Sequence, residues 1–177
     1  VGHNQFFLGQ PTEALASFDE ALRYQRELVN AFPEPVLYRR TLGVILHNFG
    51  NESRKIGRRD VALQAWEQCR DLREELADDN PDLPELQDDL VWIYNKLGSF
   101  HMDDDLDEGQ RYYQMALDVS ERLVAAQPEV VKYERNQSTC YINVAEIQLE
   151  REQFVPSRDN SLKALAIRAR IAGTHPT

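Results

Sequence analysis

Four prolines recur along the chain at almost constant intervals, and this recurrence restricts the folds open to it. Pro33, Pro81, Pro128 and Pro176 are separated by 48, 47 and 48 residues. A fixed interval of this size indicates an internal structural repeat. Three further columns of similar residues share the same register: Gly2, Gly50, Gly98 and Ala145; Ala14, Ala62, Gly109 and Ser157; Phe18, Trp66, Tyr113 and Ser161.

The columns divide the chain into repeats without any intervening linker. We predict a single array over 1–177, with a truncated first repeat at 1–33 and full repeats at 34–81, 82–128 and 129–176. Because the chain opens inside the first repeat, we expect it to be a fragment of a longer protein with another domain upstream.

Apolar residues inside each repeat follow the period of an α-helix. They step by three and four positions, as in Tyr38, Leu42, Ile45, Leu46 and Phe49, and no alternating run competes with this pattern. Acidic residues after the repeat prolines are expected in the first turn of each helix, where they favour the helix dipole. The predicted antiparallel pairs are 35–56 with 59–79, 83–102 with 106–126 and 129–152 with 155–173, preceded by a partial pair of 1–8 with 12–32.

The small-residue columns have a steric explanation. Two helices approach to an axis separation of about 8–10 Å only where one of them carries little side chain. Gly50 and Ala62 supply such positions, and the aromatic column that includes Trp66 is expected to fill the space between neighbouring pairs. The pairs are therefore expected to stack as a solenoid.

These columns resemble the tetratricopeptide repeat, which pairs a Leu-Gly step in its first helix with an A-x3-F-x2-A step in its second. The matching residues are Phe49-Gly50, Leu97-Gly98 and Val144-Ala145, together with Ala14/Phe18/Ala21 and Ala62/Trp66/Cys69. The resemblance implies an all-α, right-handed superhelical solenoid of antiparallel helix pairs. The usual unit has about 34 residues, whereas this one has 48, so each helix is longer by seven residues, or about two turns.

A narrower resemblance is to repeat tails that follow the catalytic domain of some bacterial serine/threonine kinases. It depends on the phrases Leu72-Arg73-Glu74-Glu75-Leu76 and Asn80-Pro81-Asp82. It implies a regulatory tail as one alternative function.

Composition excludes several functional classes. The net charge of −10 makes nucleic acid an unlikely partner, because a polyphosphate backbone selects basic surfaces. No apolar stretch reaches the roughly 18 residues of a membrane helix, so no membrane association is expected. The 2 cysteines, Cys69 and Cys140, form no CxxC motif and are expected to be buried, inert thiols of a cytoplasmic protein.

No motif in the sequence predicts catalysis, a cofactor or a metal. Phosphate-binding, nucleophile-elbow and zinc-protease signatures are absent, so we expect no enzymatic activity. The acidic run from Asp103 to Gly109 fails as a calcium loop, because Glu108 stands where Gly is required and Gln114 where Glu is required. The four histidines lack ligand spacing.

The tetratricopeptide resemblance implies a concave groove that binds a peptide or a partner protein. The groove positions carried over from the family are Val44, His47, Asn48, Asn51, Arg54 and Lys55, then Trp92, Asn95, Lys96, Ser99 and Met102, then Thr139, Ile142, Asn143 and Glu146. Only Asn51 matches the family's clamp for chaperone carboxyl tails, which argues against such a tail as ligand. Trp66 is expected in the core and Trp92 in the groove, with Asn51 and Asn95 beside it as anchors.

Alternatives to peptide binding remain open at this point. The second hypothesis, after the peptide-binding scaffold, is structural: self-association, including a homodimer through exposed end helices, or a spacer beside a catalytic domain. A local excess of positive charge is explained either by a solvated face or by an acidic partner: Arg39, Arg40, Arg54, Lys55, Arg58 and Arg59.

Overall fold

The computed structural model of the protein describes residues 11–174, with side chains from Leu15 onward. This part of the chain contains seven α-helices and no strand. The helices are α1 (Pro11–Ala31), α2 (Val36–Lys55), α3 (Arg59–Asp79), α4 (Pro84–His101), α5 (Leu106–Ala126), α6 (Val131–Glu150) and α7 (Phe154–Thr174). The all-α fold class is thereby confirmed. The even-numbered helices are called first helices below, and the odd-numbered ones second helices.

The predicted helix bounds agree with the observed ones to within two residues for all seven helices. The remaining predicted helix, 1–8, lies outside the described residues. Pro33, Pro81 and Pro128 lie in the connections that lead into α2, α4 and α6, as predicted.

The prediction of acidic residues in the first helical turns is met in α4 by Glu85 and in α6 by Glu134, but not in α2, whose first turn has none. Glu34 and Asp82 precede the helices because a second proline follows each of them. Pro35 is the extended N-cap of α2, and Pro84 opens α4 after the extended Leu83. A residue before proline avoids the helical region, which keeps Glu34 and Leu83 out of α2 and α4. All three helices begin three residues after their repeat proline, α6 without a second proline.

The chain divides into two compact units, one ending at Pro81 and the other beginning at Asp82. In the described part of unit 1, α1 packs on α2 and α2 packs on α3. Gly50 faces Trp66 while Gly43 faces Arg73, so α2 and α3 run antiparallel.

Trp66 fills the space inside its own helix pair. Its indole is fully buried, and a Cβ added at Gly50 would lie only 2.8 Å from its Cε2 atom. The indole Nε1 also donates a 3.2 Å hydrogen bond to the carbonyl of His47. The core position of Trp66 is confirmed, but the ring lies against the first helix of the same pair, whereas the sequence placed it between neighbouring pairs.

Unit 2 consists of α4 to α7, in which each helix packs on the next and α4 also contacts α6. Tyr113 repeats the arrangement of Trp66, since a Cβ at Gly98 would lie 2.5 Å from its Cδ1 atom. The core of the unit contains the fully buried Ile93, Leu97 and Ile147. Over residues 11–174, none of the helices has both the length and the apolar character needed to cross a membrane.

Candidate functional site

The first helices of unit 2 are joined by two hydrogen bonds between polar side chains. Asn136 Nδ2 donates to Asp88 Oδ1 at 2.5 Å, and Asn143 Nδ2 donates to Asn95 Oδ1 at 2.7 Å. The two bonds are seven residues apart on each helix, which corresponds to two turns or about 10.5 Å. We call these four residues the polar ladder. It fixes the register of α6 on α4.

Asp88 is the buried charge of the ladder, with 1% of its surface exposed. Besides the bond from Asn136, its carboxylate forms an ion pair with Lys132 Nζ at 2.5 Å. A buried carboxylate is tolerated only with such partners, because desolvation otherwise costs several kcal/mol. The negative charge at this end of the ladder is therefore compensated within the unit.

Asn95 uses its polar atoms inside the unit. Its Nδ2 donates to the carbonyl of Val91 at 2.9 Å and lies 3.3 Å from Cys140 Sγ, while its Oδ1 accepts from Asn143. The two asparagines that the sequence assigned to the groove are thus brought together, and their bond to each other serves packing between α4 and α6.

Trp92 lies on the same face, and 55% of its surface is exposed. The predicted contrast between an exposed Trp92 and a buried Trp66 is confirmed. The indole forms one wall of a pocket of about 420 Å³, whose other lining residues are Val131, Lys132, Arg135 and Asn136. The pocket therefore combines an aromatic surface with two cationic side chains.

The other predicted groove positions of unit 2 are mostly accessible. Ser99 and Thr139 are exposed, whereas Lys96 and Ile142 are half-buried. The hydroxyl of Thr139 donates to the carbonyl of Arg135 at 3.2 Å. These residues border the ladder, and their role in binding stays a prediction.

Unit 1 contains the remaining predicted positions, all on α2. Val44 and Lys55 are exposed, while His47, Asn51 and Arg54 are half-buried. Lys55 Nζ contacts Glu52 Oε1 at 2.8 Å, and Glu52 is buried. Lys55 therefore compensates a carboxylate of its own helix.

The positive charge noted around α2 is partly used inside unit 1. Arg39 forms ion pairs with Glu75 at 2.7 Å and with Asp79 at 2.9 Å, both on α3. This pairing favours an intramolecular role for Arg39 over a surface for an acidic partner.

Lys132, Arg135 and Asn136 were missed by the sequence analysis. They lie in the two additional turns at the start of α6, ahead of the positions that the 34-residue family pattern covers. No column signal pointed to Asn136, because in the 47-residue register of these two repeats Asp88 aligns with Arg135, one residue away from its hydrogen-bond partner.

Two tyrosines and one cysteine of unit 2 have pKa values shifted toward their neutral forms. Burial raises the pKa of Tyr113 to about 12 and also raises the pKa of the Cys140 thiol. Burial, together with the hydrogen bond of its hydroxyl to Glu121, raises the pKa of Tyr141. Both cysteines are free and buried, as predicted.

The structure of this chain is similar to solved structures of other proteins. The crystal structure of BtubC (BKLC) from P. vanneervenii matches with a TM-score of 0.76 at 19% identity, over 99% of this chain. The chain has an all-α helical-repeat fold. It spans 63% of the length of the BtubC structure.

Two crystal structures of MamA also match, at 17% identity over 98% of the chain and at 16% over 100%. The chain covers 97% and 92% of those structures, with TM-scores of 0.33 and 0.35. The fold class follows from the observed helix pairs and from the likeness to BtubC. No protein-family model and no curated protein matches the chain.

Proposed function

We propose that this helical repeat is a protein-interaction scaffold that binds a peptide or a partner protein on the exposed face of its first helices. The observation that carries the proposal is the exposed indole of Trp92. Trp66 and Tyr113, the aromatics that face Gly50 and Gly98 of the adjacent first helices, are buried with at most 3% exposure. Packing in the core therefore explains these two aromatic residues, whereas it does not explain the exposed Trp92.

An exposed tryptophan beside a pocket supports binding for an energetic reason. Tryptophan offers a large contact surface with few rotatable bonds, and it is enriched among residues that dominate interface affinity. The ladder beneath it supplies a rigid base, since Asn95 and Asn143 are already ordered by each other. Little conformational entropy is then lost when a partner binds.

A displayed library of random 12-residue peptides tests the proposal. Peptides selected on the folded chain are expected to lose about 2 kcal/mol or more of binding free energy, or roughly 30-fold in affinity, with Trp92→Ala. Leu149→Ala is the matched control, because Leu149 is a 53% exposed apolar residue on α6 of the same unit. Equal losses in both variants, or selected peptides insensitive to Trp92, would contradict the proposal.

The proposal extends to properties that follow from the same interpretation. We place the protein in the cytoplasm on the basis of its two free cysteines. We assign it no catalytic activity of its own and no nucleic-acid partner. The narrower resemblance to kinase tails adds the proposal that the array regulates a catalytic domain, which a kinase assay with and without the array would test.

Self-association is the second candidate, and the surface of α7 favours it. Leu165 is 62% exposed, whereas its equivalents Leu22 and Leu117 in earlier repeats are buried at 4% and 5%. Leu162, one turn away, is 55% exposed. An apolar stripe of this kind marks an interaction surface.

Light scattering at several concentrations separates this candidate from a monomeric scaffold. A homodimer through α7 predicts a mass that doubles with concentration and returns to the monomer value in Leu165→Glu. An unchanged monomer mass up to about 100 µM would exclude a dimer of useful affinity, since association at that level corresponds to only about 5.5 kcal/mol.

A further inference from the structure

We propose that the pocket beside Trp92 binds an acidic side chain of the partner. The carboxylate of an Asp or Glu in an extended segment pairs with Arg135, with Lys132 nearby, and a neighbouring apolar side chain packs on the indole. This inference rests on the proposed function and specifies the chemistry of its ligand.

Arg135 supplies the charge that is available to a ligand. It is exposed on α6, and its guanidinium makes no hydrogen bond or ion pair with any residue from 11 to 174. Three other arginines of unit 2 are paired, since Arg111 contacts Glu108, Arg151 contacts Asp107 and Arg170 contacts Glu134; Arg122 has no such partner in the described part of the chain but lies outside the pocket. An unpaired guanidinium in a pocket is suited to a carboxylate, which accepts two of its N–H groups at once.

Nothing that lines the pocket competes with a ligand for this charge. The lining contains no carboxylate, and the buried Asp88 behind it is already bound by Lys132 and Asn136. The side chain of Lys132 remains 61% exposed in that ion pair, so its ammonium adds positive potential at the pocket without leaving its partner. The lining residues therefore carry a net positive charge in a chain whose total charge is −10.

The start of α6 reinforces this potential. The helix begins at Val131, which lines the pocket, and its N-cap residue, Val130, makes no side-chain capping hydrogen bond. The positive end of the helix dipole therefore lies at the pocket and favours an anion there. This contribution is secondary to that of Arg135, since the dipole effect is typically about 0.3–1 kcal/mol at exposed sites.

The form of the ligand follows from the size of the pocket and from the total charge. About 420 Å³ accommodates a small number of side chains, and the indole provides its apolar wall. A polyacidic segment would be repelled by the remainder of a chain with net charge −10. The matching ligand is therefore a segment with a single carboxylate next to an apolar residue.

The pocket exists because the first helices are long. Lys132 and Arg135 precede Ala145, the residue that aligns with the small position of the family pattern, by 13 and 10 residues. The extra turns at the start of α6 place both cations opposite Trp92, so this subsite is a product of the 48-residue unit.

The test uses the selected peptides, acetylated and amidated at their ends so that only side chains carry charge. Fluorescence anisotropy measures their affinity for the folded chain and for Arg135→Gln. We expect Arg135→Gln to weaken binding by about 10-fold, and the Glu→Gln or Asp→Asn change in the peptide to weaken it similarly. Because both changes remove the same ion pair, combining them should weaken binding little further.

Arg122→Gln is the matched control, since Arg122 is an exposed arginine on α5 outside the pocket. It carries the same change in net charge and should alter affinity by less than about 2-fold. The Arg135-dependent part of the affinity should also decrease as salt is raised. Circular dichroism of each variant confirms that the fold is retained.

The possible outcomes separate the two proposals. Peptides that depend on Trp92 but are indifferent to Arg135→Gln, or that carry Lys or Arg in place of an acid, would overturn the carboxylate site and leave the scaffold proposal intact. Peptides that do not depend on Trp92 would overturn both. Equal losses of affinity with Arg122→Gln and Arg135→Gln would show that only the net charge of the chain matters, and this result would also overturn the carboxylate site.

Discussion

Substitution of Gly50 by Ala tests the packing of a first helix on its second helix. The new Cβ would lie 2.8 Å from Trp66 Cε2, compared with at least about 3.4 Å for an ordinary contact. The indole cannot easily retreat, because it is fully buried and is hydrogen-bonded to the carbonyl of His47. Overpacking of this kind costs about 1–3 kcal/mol, and the enclosed ring places Gly50 near the upper limit.

A second effect opposes this cost. Alanine is favoured over glycine in a helix interior by about 1 kcal/mol. We therefore expect Gly50→Ala to lower the free energy of unfolding of unit 1 by about 2 kcal/mol, the difference between the steric cost and the helix propensity. With a urea slope of about 2 kcal/mol per molar, the unfolding midpoint should fall by about 1 M.

Gly43→Ala on the same helix is the matched control. Its Cβ would meet nothing closer than Arg73 Nε at 3.6 Å, an ordinary contact, so only the gain in helix propensity remains. We expect this variant to be more stable by up to about 1 kcal/mol. The two substitutions are chemically identical but should change stability in opposite directions.

Urea unfolding followed by tryptophan fluorescence in a Trp92→Phe background reports on Trp66 alone. In urea unfolding followed by far-UV circular dichroism, which needs no tryptophan, combining Gly50→Ala with Trp66→Leu should cost less than the sum of the single changes, because the smaller side chain leaves room for the Cβ. If Gly50→Ala is neutral or stabilising, or if Gly43→Ala destabilises to the same extent, the close contact between the helices is wrong.

Four further outcomes are expected. Trp66→Ala should cost about 3–5 kcal/mol in urea unfolding, as for other buried aromatics. Acrylamide should quench Trp92 more strongly than Trp66 when each is the single tryptophan, because their exposures are 55% and 0%. Gly57→Ala should destabilise by about 1–2 kcal/mol, since φ at Gly57 is +80°. The pKa of Tyr113 rises from 10.0 to about 12 on folding, so the folded state favours the neutral phenol. The free energy of unfolding should therefore decrease between pH 10 and 12, and this decrease should be smaller in Tyr113→Phe.

Much of the fold could be predicted because its determinants are local. The period of Tyr38, Leu42 and Ile45 fixes a helical face, and the prolines mark the connections. These relationships involve residues within one or two turns of each other, so the sequence states them directly. The positions of Glu34 and Asp82 ahead of their helices are also local, since a proline within two residues after each restricts the backbone there.

The candidate site was predictable only in part. The exposure of Trp92 follows from a column of mixed polarity, shared with Val44 and Thr139, that does not belong to the core. The use of Asn95 within the ladder does not follow, because its partners Cys140 and Asn143 lie 45 and 48 residues away. Sequence columns identify equivalent residues in successive repeats. Hydrogen bonds, in contrast, join residues that meet because one helix is shifted along the other, and the columns do not show this shift.

The sequence by itself determined the repeat length, the helices and the residue types at each packing position, since periodicity, proline and glycine act through the backbone of their own helix. Only the tertiary structure decided that Trp66 lies against Gly50 of its own pair and that Lys132 and Arg135 lie with Trp92 around one pocket. The physical reason is that the distance and rotation between packed helices are set by all their contacting side chains together. Arg135 is one exposed charge among many in the sequence, and it becomes a candidate binding residue through the position of α6 beside α4.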